Sequence, residues 1–328
     1  MVSVNRYARQ QQVSVMGLES AKQLAQARVL IVGSGGLGSP VSLFLAGAGV
    51  GEITLIDPDT VSLSNLHRQI LFQETDVNQS KVERAKARLT ALNGDIKINV
   101  INAKLGPNTV ASLVANATVV VDAADNFLTS YLLSDACFTH RTPLVSASVI
   151  STHGYVGVFC GTQAQPAPSL RGVFPSPAGP AQSCSTAGVT GPSVGILGSY
   201  QAQEALKVIM QDPHQLLGKL LYVDAWNYQH TIVDFTAAKE PATHAAIIDC
   251  DAIGHTDVVI DVRTAAEFSR TVINPSAINT PLITLETEPL NVDSSKRVVC
   301  LCASGQRALI AAELLLKKGH SNVAVAAH

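Results

Sequence analysis

Residues Val29–Gly38 read V-L-I-V-G-S-G-G-L-G, and an apolar run, Val41–Leu45, follows. Four apolar residues running into a glycine cluster predict a buried strand, a tight turn and a helix N-terminus. That order gathers backbone N–H groups and the positive end of a helix dipole where phosphates can sit. Gly33, Gly35, Gly36 and Gly38 let the backbone turn sharply and approach a ligand closely. A cluster of this kind serves a dinucleotide, another nucleotide, or a turn with no ligand, and alone it does not choose among them.

Working outward, Ile53–Ile56 predicts a second apolar strand ending at Asp57 in I-D-P-D-T. An acid at that point is placed to accept hydrogen bonds from a ribose hydroxyl, which both NAD and ATP carry. The choice comes from V-S-L-S-N-L-H-R-Q-I-L at Val61–Leu71 and from Lys81, which opens a predicted helix with Val82, Ala85 and Leu89 on one face. A dehydrogenase holds its pyrophosphate mostly with backbone amides, whereas a triphosphate that will be cleaved needs cations around the reacting phosphate. Asn65, Arg68 and Lys81 supply such groups. Each alone reads equally well as a solvated surface residue; together they weigh against a plain dinucleotide site. A strand at Ile96–Asn102, a short helix around Thr109–Ala115 and a third apolar strand at Thr118–Val121 lead into D-A-A-D-N, Asp122–Asn126. Asp125 at a strand's carboxyl end is a natural magnesium ligand, with Asn126 as a polar neighbour. A helix-capping role, for the helix expected at Phe127–Thr139, stays open for Asp122 or Asp125.

The chain has 328 residues, long enough for two domains, with 47% hydrophobic and 15% charged residues and a mean hydropathy of +0.24. A net charge of -2 offers neither a nucleic-acid surface nor a polybasic membrane patch. The N-terminal M-V-S-V-N-R-Y-A-R-Q lacks a basic segment followed by an apolar one, and no apolar run reaches a membrane span, so a cytoplasmic protein is expected. The six cysteines (137, 160, 184, 250, 300 and 302) contain no C-x-x-C pair and read as thiols.

V-G-S-G-G-L-G-S, L-I-D-P-D-T-V-S-L-S-N-L-H-R-Q, Lys81 and D-A-A-D-N together resemble the adenylation domain of the ubiquitin-activating-like superfamily, in its bacterial MoeB/ThiF branch, over residues 1–236. The resemblance implies that ATP adenylates the C-terminal glycine of a small ubiquitin-like sulfur carrier. It implies that Gly36 and Asp57 contact the nucleotide, with Asp57 on the ribose, that Asn65, Arg68 and Lys81 hold the phosphates, and that Asp125 binds magnesium. Ser64, Leu66, His67 and Asn126 fall in the same nucleotide-binding set, and Arg9, Arg68, Lys81 and Asp125 take catalytic roles. Arg9, in R-Y-A-R-Q, matches the family's arginine that reaches a partner subunit's phosphates, which implies a homodimer; without that context Arg6 and Arg9 read as solvated charge.

The middle of the chain departs from this pattern. Gly161–Pro192 is rich in Gly, Pro and Ser and predicts a long loop. Where the family carries C-Y-R-C-L-F-P and a second C-x-x-C that bind structural zinc, this sequence reads S-L-R-G-V-F-P at Ser169–Pro175 and P-A-T-H-A at Pro241–Ala245. His244 alone makes no tetrahedral site, so no zinc is expected. Cys184, in Q-S-C-S-T-A-G, stands where relatives carry a loop cysteine and reads either as a nucleophile or as a non-catalytic loop thiol. Cys137 and Cys160 lie in apolar runs and read as core. A helix at Ser199–Gln211 and a strand at Leu220–Val223 close the domain, and Trp226, the only tryptophan, reads as packing.

After a polar, proline-containing segment, Val258–Ile260 leads into D-V-R-T-A-A-E-F, and the strand Arg297–Leu301 leads into C-A-S-G-Q-R and a helix, Leu309–Lys318. Cys302, between a strand's end and a helix's start, is expected in a ring of backbone N–H groups beside the cation Arg307, a setting that activates a thiol. Cys300 reads as buried. D-V-R-x-x-x-E-F, I-x-x-A-I-N-x-P and C-x-S-G-x-R resemble a rhodanese domain, which implies that Cys302 carries sulfur as a persulfide within the loop Ser304–Arg307, with Asp261, Arg263 and Glu267 structural. Ala303 replaces the usual arginine after the cysteine, and A-V-A-A-H comes before the last helix usual in such domains, so a minimal second domain is expected.

The expected fold class is α/β: a Rossmann-like adenylation domain over 1–240, its mainly parallel sheet extended by antiparallel strands, then a linker over 241–246 and a small α/β rhodanese-like domain over 247–328. The expected function is ATP-dependent adenylation of a MoaD/ThiS-like carrier ending in Gly-Gly, followed by sulfur transfer from the Cys302 persulfide to give a thiocarboxylate, in molybdopterin, thiamine or related sulfur metabolism. ATP and Mg2+ are the expected cofactors, and a cysteine desulfurase or thiosulfate the expected sulfur donor; neither nucleic acid nor membrane is expected as partner. The alternatives are an adenylating dehydratase acting on a modified tRNA base, a dehydrogenase, and a carrier-binding scaffold with an inactive second domain.

Overall fold

The computed structural model describes residues 6–176, 188–293 and 295–327. Its larger sheet has eight strands: β1 (Arg28–Val32), β2 (Glu52–Ile56), β3 (Lys97–Ile101), β4 (Val119–Asp122), β5 (Leu144–Ile150), β6 (His153–Phe159), β7 (Lys219–Asp224) and β8 (Gln229–Asp234), in the order β3-β2-β1-β4-β5-β6-β7-β8. The first five are parallel, and β6, β7 and β8 form the antiparallel extension. The order turns back between β1 and β4, where a parallel sheet opens a crevice at its carboxyl end.

Helices cover this sheet on both faces: α1 (Ala8–Gln11), α2 (Leu18–Gln26), α3 (Gly38–Ala48), α4 (Lys81–Leu92), α5 (Pro107–Ala115), α6 (Phe127–His140), α7 (Leu170–Val173) and α8 (Gly191–Met210). Strand side chains alternate between the two faces, so β1 sends Val29 and Ile31 into the core with α3 and α8, and Leu30 and Val32 into the core with α5 and α6. Each such side chain contributes roughly 1.5–3 kcal/mol by leaving water. Between β1 and α3 the chain turns through Gly33 at φ +97, where a Cβ would sit 2.4 Å from the Ala123 carbonyl oxygen. Only glycine fits there.

Three expectations need correction. The long helix begins at Gly191 rather than Ser199: Thr190 caps it by accepting the Ser193 N–H, and Pro192 is tolerated in the first turn, where its missing N–H has no partner to lose. The stretch Gly161–Pro192 is likewise not all loop, since Ser169 caps α7. Trp226 is 71% exposed, not packed; Asp224 accepts the N–H groups of Trp226 and Asn227, and this turn between β7 and β8 turns the ring to solvent. Cys137 and Cys160 are buried in the core as expected, and burial pushes the Cys160 thiol up to about 12.

The second sheet is wholly parallel: β9 (Ala246–Asp249), β10 (Val258–Asp261), β11 (Ile278–Asn279), β12 (Val298–Leu301) and β13 (Val323–Ala327), in the order β11-β10-β12-β13-β9. α9 (Ala265–Arg270), α10 (Leu282–Thr287) and α11 (Gln306–Lys317) flank it. The two sheets share one apolar cluster, which contains Val110 and Leu133 of the first layer together with Ile260, Ala308 and Leu309 of the second. Asp249, at the end of β9, accepts the Asn108 N–H at 2.9 Å and so satisfies a first-turn amide of α5 that Gly106, lacking a side chain, leaves open. Among the described residues no helix is long and apolar enough to cross a membrane.

Candidate active site

The carboxyl ends of β1, β2 and β4 bring the glycine turn, Asp57 and Asp122–Asn126 to one edge of the larger sheet. Asp57 is buried, and its carboxylate holds the turn together: Oδ2 accepts the Ser34 N–H at 2.7 Å and Oδ1 accepts the Asp59 N–H at 2.8 Å. Burial raises its pKa, while Lys81 and these two amides oppose the rise. An ionised carboxylate has about four acceptor positions, so two bonds leave Asp57 room for a hydroxyl.

Lys81 opens α4 as predicted and is buried, its Nζ donating to Asp59 Oδ2 at 2.8 Å. Asp59 is a partner that the sequence motif contains but does not point to. Ser64 and Asn65 lie in a short 3-10 turn, Leu63–Asn65, and the Asn65 carbonyl accepts the N–H groups of Arg68 and Gln69. Leu66 and Arg68 are half-buried and His67 is exposed. Among the described residues Arg68 has no carboxylate partner; it contacts the His67 ring at 2.8 Å and the Ser64 carbonyl at 3.5 Å, so its charge is available to an anion. At the glycine turn the Ser34 hydroxyl and the Gln69 side-chain oxygen are buried without a hydrogen-bond partner, which fits a turn whose polar complement comes from a ligand.

On the β4 side, Asp125 is exposed and Asp122 is buried. Asp122 Oδ1 accepts the Ala124 N–H and Oδ2 the Ser146 hydroxyl, fixing the loop that carries Asp125; desolvation pushes the Asp122 carboxyl up to about 6. Gln201 of α8 ties the same strand end to β5 by donating to the carbonyls of Asp122 and Val145. The helix-capping role left open for Asp122 or Asp125 is taken by Asn126, which accepts the Thr129 N–H at 2.9 Å. Among the described residues no group of three or more His, Cys, Asp or Glu side chains could hold a metal.

Arg9 is not brought to this edge. α1 lies where Gln10 donates to the Ala48 carbonyl and the Tyr7 hydroxyl accepts from Asn93, at the amino ends of β2 and β3. Arg9 is exposed there and donates to Gln12 at 3.4 Å. Cys184 lies outside the described residues.

The segment without its cysteine pairs is held by a carboxylate. Glu240 accepts the Ser169 N–H at 2.7 Å and the Ser169 hydroxyl at 2.6 Å, and a Cβ on Gly172 would stand 3.1 Å from the same carboxylate. Arg171, fully buried, pairs with both oxygens of Asp135 and stacks on the Tyr131 ring. Sequence spacing gives no sign of Glu240.

In the second sheet Cys302 follows β12 and precedes α11, and Cys300 is buried in the strand, its thiol pushed up by desolvation. Cys302 is 1% exposed, and the Ala308 N–H donates to its sulfur at 3.4 Å. The expected cation is present but engaged: both Arg307 terminal nitrogens bind the Glu267 carboxylate, at 2.8 and 2.7 Å, and hold it well below the usual carboxylate range. Glu267 also closes a capping box with Thr264, and Asp261 and Arg263 form a buried two-point pair.

Residues 7–246 match the ThiF family and residues 241–327 the rhodanese-like domain. The chain is 40% identical to the adenylyltransferase and sulfurtransferase MOCS3 of Culex quinquefasciatus over 67% of its own length and 50% of that protein, so it spans about half the length of this relative. It is 31% identical to MOCS3-1 of Zea mays, over 97% of this chain and 79% of that one. It is 41% identical to the sulfur carrier protein ThiS adenylyltransferase of Escherichia coli K12, over 62% of this chain and 80% of that one. A crystal structure of E. coli MccB shares the fold at a TM-score of 0.63 and 23% identity, covering 72% of this chain and 73% of that one. Its glycine turn, its strand-end acids and its second, cysteine-bearing sheet are therefore those of a chain that belongs to the ThiF family and continues into a rhodanese-like domain.

Proposed function

We propose that this chain adenylates the C-terminal glycine of a ubiquitin-like sulfur carrier and then passes it sulfur from Cys302. The observation that carries the reading is the convergence of Asp57, Lys81, Arg68 and Asp125 on the crevice beside β1, in one chain with a loop that holds the covered thiol of Cys302. The names of the relatives, an adenylyltransferase and sulfurtransferase and a sulfur-carrier adenylyltransferase, support it.

In this reading Gly33, Gly35, Gly36 and Gly38 admit the nucleotide, with Ser64, Leu66, His67 and Asn126 around it, and Asp57 binds the ribose. Asn65, Arg68 and Lys81 hold the phosphates. A carrier carboxylate oxygen attacks the α-phosphorus, the bond to pyrophosphate breaks, and Arg68 and Lys81 offset the charge that moves onto the leaving oxygens. Asp125 would hold Mg2+, an ion that one carboxylate together with substrate phosphates suits, and the ion would supply positive charge to the reacting phosphates. The Cys302 persulfide then attacks the acyl carbon and AMP leaves. A second thiol reduces the resulting acyl disulfide and releases the thiocarboxylate. Arg9 stands at the far end of the sheet, so it serves the site of a partner subunit in a homodimer. A cytoplasmic setting, molybdopterin or thiamine pathways, and a desulfurase or thiosulfate donor belong to the same reading.

The test is carrier-dependent ATP–pyrophosphate exchange with candidate carriers ending in Gly-Gly, beside Asp125→Ala. Exchange that requires the carrier and vanishes in the variant is expected; no exchange with any carrier overturns the reading.

A further inference from the structure

Gly305, in the cysteine loop, adopts φ +80, and a Cβ there would lie 2.3 Å from Leu128 Cδ2. Glycine thus serves two ends at this position: it permits the left-handed turn that starts α11, and it lets the loop close directly on Leu128. Leu128 belongs to the first turn of α6, the helix that begins immediately after D-A-A-D-N. The cysteine loop therefore rests on the first turn of the helix that follows Asp125, three residues beyond that carboxylate. Other contacts keep the two layers together: Lys317 of α11 donates to the Ser176 hydroxyl at 3.3 Å, and Asp249 caps α5. Cys302 is covered while Ala303 and Ser304 at the tip of its loop are exposed.

We infer that the Leu128–Gly305 contact is the seat from which sulfur is passed, so that each chain sulfurates the carrier adenylated at its own nucleotide site. This rests on the function proposed above. Leu128 touches neither nucleotide nor thiol; it is a positioning residue that keeps the loop beside the crevice. From Gly305 back to Cys302 the backbone spans at most about 10 Å, so a local swing of the loop carries the persulfide toward the crevice without travel across the molecule. A donor tethered at that range acts at an effective concentration in the millimolar range, far above that of free chains.

The experiment co-expresses a chain bearing Asp125→Ala, which keeps Cys302, with one bearing Cys302→Ala, which keeps Asp125. It reads carrier thiocarboxylate by mass spectrometry. Transfer within one chain leaves the mixture below a tenth of the wild-type rate, although the Cys302→Ala chain still exchanges pyrophosphate and the Asp125→Ala chain still forms persulfide from thiosulfate. A rate of a tenth or more overturns the inference. Loss of exchange in the wild-type chain instead defeats the proposed function, which separates the two failures. In addition, Leu128→Ala is expected to lower thiocarboxylate formation about tenfold with both half-reactions within twofold, and Leu128→Met to restore it. An unchanged coupled rate in Leu128→Ala, or equal losses in all three assays, overturns the positioning role.

Discussion

The nucleotide edge and the cysteine loop solve opposite problems. At the edge the polar groups are only half committed: Asp125 and His67 are exposed, and among the described residues Arg68 has no carboxylate partner and two buried oxygens, on Ser34 and Gln69, have no hydrogen-bond partner. At the loop every charge is matched, with Arg307 on Glu267, Arg263 on Asp261 and the thiol covered. Under the proposed function, a crevice that takes an anion from water keeps partners the ligand can replace, whereas a group that carries reactive sulfur is shielded and its charges are settled in advance.

The comparison can be broken at either end. Cys302→Ala is expected to abolish thiocarboxylate formation, by about 1,000-fold or more, with pyrophosphate exchange within twofold, because it removes the nucleophile and nothing at the edge. Lys81→Ala is expected to slow exchange about 100–1,000-fold and to leave persulfide formation from thiosulfate unchanged. If either variant damages both activities alike, the two regions are not independent.

Stability measurements sharpen it further. Asp122 has a folded pKa near 6, above its ordinary value of 3.8, because burial disfavours the charge. The stability it contributes is therefore complete below pH 4 and is lost as pH rises through 6, by about 3 kcal/mol on linkage grounds. Urea unfolding between pH 4 and 7 should show this decline, and Asp122→Asn should flatten it. Glu240→Ala strands the buried Ser169 N–H and hydroxyl and is expected to cost about 2 kcal/mol in the same assay, with no change in exchange beyond that explained by unfolding. The smallest effect is expected of Glu267→Gln: it frees Arg307 to face the thiol and should raise the rate of Cys302 alkylation about threefold to tenfold at pH 7. No increase would mean that coverage, not charge, governs this cysteine.

Much of this was legible in the chain because it is local. V-L-I-V followed by glycines can only be a buried strand and a tight turn, and I-D-P-D-T puts an acid at the end of the next strand. What escaped the sequence are pairings made by the fold. Asp59 meets Lys81, Glu240 meets Ser169, and Glu267 meets Arg307 across long stretches of chain, and no periodicity encodes such meetings. Two errors were local misjudgements of sign. Gly191-Pro192 signals a loop yet begins a helix, since proline costs nothing in a first turn, and D-A-W-N-Y makes an Asp-directed turn that exposes the tryptophan. The capping role offered to two aspartates fell to Asn126, the residue that stands at the N-cap itself.

Asp249 fastens β9, an outermost strand of the second sheet, to α5 of the first domain. The Gly305 loop on Leu128, the Lys317–Ser176 bond and the shared apolar cluster hold the same sheet at places well away from that strand. A body fastened at several separated points cannot turn about one of them without breaking the others, so the second domain is held as a whole and movement is left to its loops.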